Sequence, residues 1–323
     1  GAHLDLAIAV AILKASSVQM PKLKDFILVG ELGLDGKLRG VNGVLPLLIS
    51  ASMCGYKNFI IPEENAKEAS YIDGINVYAF PTLNGVLGFL SGEDEVGPIE
   101  KSEFADLPDD VEYPVDLSLV KGQEVAKRAI EIAVSGGHNI LLVGAPGAGK
   151  TMLARCIPTI MPDMTFEEAL ETTKIHSVAG TLTDEGIVRT RPFMTPHHTA
   201  TNIALIGGGT NAKPGVISLA HNGVLYLDEL PEYPRATLEC LRQPLEDRVV
   251  TVSRAKLTVN YPASFIMCAS MNPCPCGNYG SKKLECKCSP AQIMKYKAKI
   301  SGPLLDRIDL QVEVDCVEYD DLV

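Results

Sequence analysis

The stretch from Asn139 to Arg155, NILLVGAPGAGKTMLAR, constrains this chain more than any other. Ile140 to Val143 is a short, wholly apolar run, the composition of a strand buried on both faces of a parallel sheet. It runs into Gly144, Ala145, Pro146, Gly147, Ala148, Gly149, Lys150 and Thr151, which satisfy G-x-x-x-x-G-K-[ST] at every fixed position. Met152 to Ile157 then reads as a packed helix, which Pro158 is expected to stop. In this context the glycines let successive backbone N–H groups turn toward phosphate oxygens, and the helix N-terminus adds its positive dipole end. Lys150 would reach the β- and γ-phosphates and the Thr151 hydroxyl would hold Mg²⁺. A plain turn between strand and helix has no need of Gly-Lys-Thr, so the expected ligand is ATP with Mg²⁺.

A second apolar strand, Gly223 to Leu227, ends in Asp228-Glu229. Beside a phosphate loop this is the pattern in which Asp228 holds Mg²⁺ through water and Glu229 polarises the attacking water. A third buried strand, Ala263 to Met271, ends at Asn272. Taken alone, Asn272 could equally be a turn residue before Pro273.

The totals bound the rest. At 323 residues with 46% hydrophobic and 21% charged residues, the chain is globular and long enough for about two domains. A net charge of −11 excludes a generally basic surface, so any nucleic-acid contact must come from a local patch. No apolar run reaches the ~18–20 residues that span a membrane, and no signal-peptide pattern is visible. Four of the nine cysteines crowd into Cys274–Cys288, which fits a reducing, cytoplasmic setting with a metal site better than a disulfide framework.

The pattern divides into residues 1–91, an acidic stretch 92–118 and a third part 119–323. In the first, Leu4 to Lys14 reads as a buried helix, Phe26–Val29, Asn58–Ile61 and Val77–Phe80 as strands, and Val44–Met53 as a helix ending near Gly55. The second carries ten acids and three prolines without apolar period, the signature of an extended, solvated linker.

GELGLDGKLRGVNG (Gly30–Gly43) and GYKNFIIPEENAKEA (Gly55–Ala69) resemble the proteolytic domain of the Lon family. That chemistry needs a serine nucleophile and a lysine base. At the matching positions this chain has Ala2-His3-Leu4 and Val44-Leu45-Pro46-Leu47, so the resemblance implies a non-proteolytic relative, truncated at its N-terminus.

PHHTATNIALIGGG (Pro196–Gly209), Pro214–Ala255, MNPCPCG (Met271–Gly277) and SGPLLDRIDL (Ser301–Leu310) resemble the magnesium-chelatase-like AAA+ ATPases of the ComM/YifB type. The fold class implied is α/β: a Lon-protease-like domain, then a P-loop AAA+ α/β/α core lacking most of its helical lid. In that arrangement the Asn272 strand lies between those of Lys150 and Asp228, and Asn272 orients the water as sensor 1. Gly122-Gln123 falls where such proteins approach adenine. Arg307 falls where the ring places its arginine finger, which reaches the neighbouring subunit's γ-phosphate; a surface Arg paired with Asp306 or Asp309 is the alternative. The resemblance further implies a hexameric ring acting on single-stranded or branched DNA as a helicase or branch-migration factor. A chelatase-type motor remodelling a metal-insertion enzyme, or a nucleotide-switched scaffold, remain open alternatives.

Three more features bear on partners and metals. Pro231–Arg242 reads as a helix, and Arg248–Asn260 alternates as a hairpin whose tip residues Arg254 and Lys256 could meet DNA phosphates. Ile175–Gly209 is a glycine-rich insertion where the family has a second pore-facing element; His197-His198 could be metal ligands or catalytic groups, but without a third spaced partner they read as structural or substrate-contacting. Cys274-Pro-Cys276 and Cys286-Lys-Cys288 can close a tetrahedral, structural Zn²⁺ site, with Lys282, Lys283 and Lys287 offsetting its charge; free thiols are the alternative.

Overall fold

The computed structural model describes residues 1–107, 113–254, 257–281 and 284–315. The chain forms two compact units: Gly1–Asp110 with Thr165–Arg189, and Val111–Met164 with Thr190–Val323. No helix among the described residues is long and apolar enough to cross a membrane.

The first unit is built on a three-stranded parallel sheet, Ile27–Leu28 beside Asn58–Pro62 beside Asn76–Phe80. Side chains of a strand alternate faces. Phe59 and Ile61 accordingly join one apolar core with Val44, Leu45 and Leu48, and Ile60 joins another with Leu6, Val10 and Phe89. Val44 and Leu45, where a protease would carry its lysine, are buried. The first helix, Asp5–Ala15, is not fully buried as expected: Leu6 and Val10 are, while Ile8 is 54% and Ile12 61% exposed. Its near-uniform apolar composition carries no face signal.

The helix Phe166–Ala179 belongs to this unit, although it lies inside the sequence range 119–323 expected as one ATPase core. Thr165 and Glu168 form a capping box at its start, and Gly180 (φ +77) ends it in the left-handed conformation. Gly43 N donates to Ser177 O at 3.0 Å, and Leu170 packs on the core around Val44. Buried Glu68 accepts from Ser177 Oγ (2.6 Å), Asn65 Nδ2 (2.7 Å) and Leu45 N (3.2 Å). The expected insertion Ile175–Gly209 is therefore divided between units at residues 189 and 190. The acidic stretch is likewise not simply solvated: Ile99 N donates to Val77 O, and Ser102 N to Ser70 O.

The second unit holds a five-stranded, all-parallel sheet in the order Leu310–Glu313, Ile140–Val143, Ile266–Met271, Val224–Leu227, Phe193–Met194. Ile266–Met271 and Val224–Leu227 are buried at every residue, which explains their continuous apolar runs. The helix Lys150–Ile160 does not stop at Pro158. The proline sits in its last turn, where one forfeited backbone bond is tolerated and the buried ring adds to the core. Pro231–Arg242 is not one helix but falls across the short helices Leu230–Glu232, Arg235–Glu239 and Arg242–Asp247. Pro234 accounts for the break, since a residue before proline is pushed out of helical geometry. Val249–Arg254 and Leu257–Pro262 form the expected antiparallel hairpin. Lys256 lies outside the described residues, as do Lys282 and Lys283.

Candidate nucleotide and metal sites

The carboxyl ends of the three central strands converge on one place. Ile140–Val143 delivers the phosphate loop, in which Gly147 (φ +81) and Gly149 (φ +90) take conformations that disfavour a side chain. Gly144 is needed for closeness instead: a Cβ there would lie 2.4 Å from Val314 O. Lys150 Nζ donates to Gly144 O (2.6 Å), Ala145 O (2.9 Å) and Asn272 Oδ1 (3.3 Å). The loop carbonyls and Asn272 thus hold the ammonium where the phosphate chain would enter. Gln123 (φ +61) also meets the loop, donating to Ala148 O at 3.3 Å and to Asp315 O at 2.5 Å.

Thr151 and Asp228, the expected Mg²⁺ ligands, are linked by a residue the sequence did not single out. Tyr226 OH lies 3.2 Å from Thr151 Oγ1 and donates to Asp228 Oδ1 at 3.0 Å. Ser270 Oγ donates to the same carboxylate oxygen, as does Glu229 N at 3.1 Å. Burial pushes the Tyr226 phenol far above its ordinary value, so it stays a donor at neutral pH. Tyr226 and Ser270 were hidden from sequence reading because they look like ordinary members of apolar strands. Thr151 and Asp228 offer oxygens, the donor type Mg²⁺ takes.

Glu229 follows Asp228 in the left-handed conformation (φ +52), a strained geometry for a non-glycine residue and one that clusters at functional sites. Its carboxylate is 4.0 Å from His198 Nδ1, and the rings of His197 and His198 are 4.1 Å apart. His198, Glu229, Asn272, Tyr296 and Lys299 share the wall of a cavity of about 530 Å³. Burial raises Tyr296 to about 12.

Arg307 is held within its own chain. Its guanidinium pairs with Glu246 and donates to Pro303 O at 2.5 Å, rather than pairing with Asp306 or Asp309. Asp309 instead accepts from Asn139 N and meets His138 Nδ1, both at 3.2 Å. Arg307 is therefore not brought to the phosphate loop of its own chain among the described contacts. Arg254 ends the first hairpin strand.

The cysteines Cys274, Cys276, Cys286 and Cys288 bring their Sγ atoms within 4.8 Å of one another. Three separations are 3.4, 3.7 and 3.7 Å. Tetrahedral Zn–S bonds of ~2.3 Å set S···S near ~3.8 Å, whereas a disulfide needs ~2.05 Å. All four are free thiols, so the donor set fits Zn²⁺. Backbone N–H groups of Asn278 and Lys287 pull Cys276 down to about 6, while desolvation and the neighbouring sulfurs push Cys286 and Cys288 up.

A family profile described as magnesium chelatase, subunit ChlI, matches residues 116–322, and a second, subunit ChlI of Mg-chelatase, matches residues 1–65. Competence protein ComM of Haemophilus influenzae is 44% identical over 97% of this chain and 62% of its own length. An uncharacterised protein YifB of Escherichia coli is 43% identical over 97% and 61%. The chain thus spans about three fifths of these relatives. A cryo-EM reconstruction of the BchI–BchD complex of magnesium chelatase matches with a TM-score of 0.46 at 22% identity, covering 65% of this chain and 64% of that one.

Proposed function

Because the chain belongs to the magnesium chelatase ChlI family, as a ComM/YifB-type AAA+ ATPase, we propose that it hydrolyses ATP to drive a ring-shaped motor on DNA. The observation that carries the ATPase reading is the convergence of Lys150, Thr151, Asp228, Glu229 and Asn272 at the ends of three adjacent parallel strands. Gly144 to Gly149 cradle the phosphates through backbone N–H groups, and Lys150 neutralises them. Thr151 and Asp228 would hold Mg²⁺, which would supply charge neutralisation to the phosphates. Tyr226 fixes the spacing of those two ligands. Glu229 takes up the proton of the attacking water, and Asn272 orients that water. Arg307 acts on the neighbouring subunit's nucleotide once the ring forms, exchanging Glu246 for the γ-phosphate.

Support for a DNA substrate is the pairing of Val249–Arg254 with Leu257–Pro262, a stretch whose sequence carries the basic residues Arg254 and Lys256, together with similarity to a protein named for competence. The four cysteines hold one structural Zn²⁺, consistent with a reducing, cytoplasmic location. The ring is hexameric, and the Lon-like first unit is non-proteolytic. The family match favours one second reading, a motor that remodels a metal-insertion enzyme.

Strand displacement and ATPase assays on the full-length protein separate the two. Stimulation by single-stranded or branched DNA is expected. Dependence on protoporphyrin, with no response to DNA, would favour the chelatase reading instead.

A further inference from the structure

The cysteine cluster begins two residues after Asn272 and turns back onto the phosphate loop. Gly277 takes φ +82, and a Cβ built there would sit 2.6 Å from Pro146 Cδ and 3.0 Å from its Cγ. The backbone at Gly277 is therefore flush against the third residue of the loop, leaving no room for a side chain. That backbone is itself fixed from the cysteine side: Gly277 N donates to Cys274 O at 3.0 Å, and Tyr279 N donates to Cys274 Sγ at 3.3 Å. Cys274 is buried, so the cluster is anchored in the unit rather than hanging from it. At the other end of the segment, Asn272 accepts from Lys150. The six residues Asn272–Gly277 thus touch the phosphate loop twice, and the sulfur cluster sets the shape of the segment between the two contacts.

We infer that Zn²⁺ on Cys274, Cys276, Cys286 and Cys288 is a brace for the phosphate loop, so that metal occupancy sets nucleotide affinity. The inference rests on the zinc reading given above and adds to it. Without the ion, the two C-x-C pairs meet only through weak Sγ–Sγ contacts of 3.7 Å in place of four metal–sulfur bonds. The Gly277 contact then relaxes from Pro146 and the Asn272 end is released with it. Loop N–H groups displaced by about 1 Å from productive geometry lose a large part of their grip on phosphate. A metal placed merely to staple a distant loop would leave this affinity untouched.

The full-length protein, purified without added metal, is assayed for zinc by mass spectrometry. It is then stripped with an organomercurial and chelator, dialysed and titrated with a fluorescent ATP analogue in Mg²⁺. About one zinc per chain is expected. Stripped protein should bind the analogue about 10-fold more weakly, with unchanged far-UV circular dichroism and recovery on adding stoichiometric Zn²⁺. Gly277→Ala, which wedges a methyl group against Pro146, should retain zinc and still lose affinity. Absence of zinc would remove both the metal reading and the brace. Zinc that can be removed, or Gly277→Ala that can be made, with affinity unchanged would remove the brace and leave the metal site standing. Normal nucleotide binding by Lys150→Ala would instead point to failure of the nucleotide-site assignment itself.

Discussion

Lys150 Nζ donates to Asn272 Oδ1 across 3.3 Å, tying the phosphate loop to the end of the neighbouring strand. The two ends of that bond have separable roles. Lys150→Ala removes the positive side chain of the loop and should weaken nucleotide binding by ~100-fold or more, the scale of a lost charge-assisted bond. Asn272→Ala should bind nearly as well and turn over ATP more slowly, by about 10–100-fold. Equilibrium binding measured beside steady-state turnover checks both.

Glu229→Gln keeps the shape of the side chain and removes its basicity. Nucleotide affinity should persist while turnover falls by about 10²–10⁴-fold, the range for loss of a general base. Hydrolysis at the wild-type rate would show that another group activates the water.

Glu68 gathers three donors in the first unit, one of them from the helix Phe166–Ala179. Glu68→Ala leaves those donors buried without a partner and should cost about 1–3 kcal/mol. Hydrogen exchange should quicken in Phe166–Ala179 and Val44–Met53 together. Faster exchange in one helix alone would mean that the carboxylate does not join them.

The pH limit on the alkaline side follows from buried phenols. Burial raises Tyr233 and Tyr296 to about 12, and Tyr226 further, from an ordinary value of about 10. Their folded pKa exceeds the unfolded one, so the unfolded state ionises first and gains stability as the pH rises. The stabilisation is complete below pH ~10 and is lost progressively between ~10 and ~12. The phenolate absorbance of Tyr226, Tyr233 and Tyr296 should therefore appear with unfolding rather than before it, and Tyr226→Phe should shift the midpoint upward.

Arg307 and Glu246 pair within one chain, and both are partly exposed, so the pair itself adds little stability. Arg307→Ala should fold and bind ATP normally. If Arg307 serves the neighbouring subunit, mixing full-length Arg307→Ala with Lys150→Ala protein should restore part of the activity that each lacks alone. In rings shown to be mixed, no rescue at any ratio would overturn the assignment in trans.

The sequence by itself determined what is local along the chain. The order strand, glycine loop, Lys150, Thr151 is set by conformational freedom and charge within a dozen residues, and the structure places it as read. Asp228 and Asn272 were legible because each ends an apolar run of strand length. The two C-x-C pairs were legible because a short loop can close only a compact cluster. Tertiary structure decided everything that depends on which distant segments meet. No local pattern could assign Phe166–Ala179 to the first unit, since its docking is decided by the buried carboxylate of Glu68, about a hundred residues away. Tyr226 reads as one more core aromatic until parallel pairing sets its hydroxyl between Thr151 and Asp228. Arg307 has charges next to it in sequence, yet it pairs with Glu246 because the fold brings that side chain to it. The contact of Gly277 with Pro146 is likewise invisible in sequence: a glycine shows that a backbone can be approached closely, and only the folded chain shows by what.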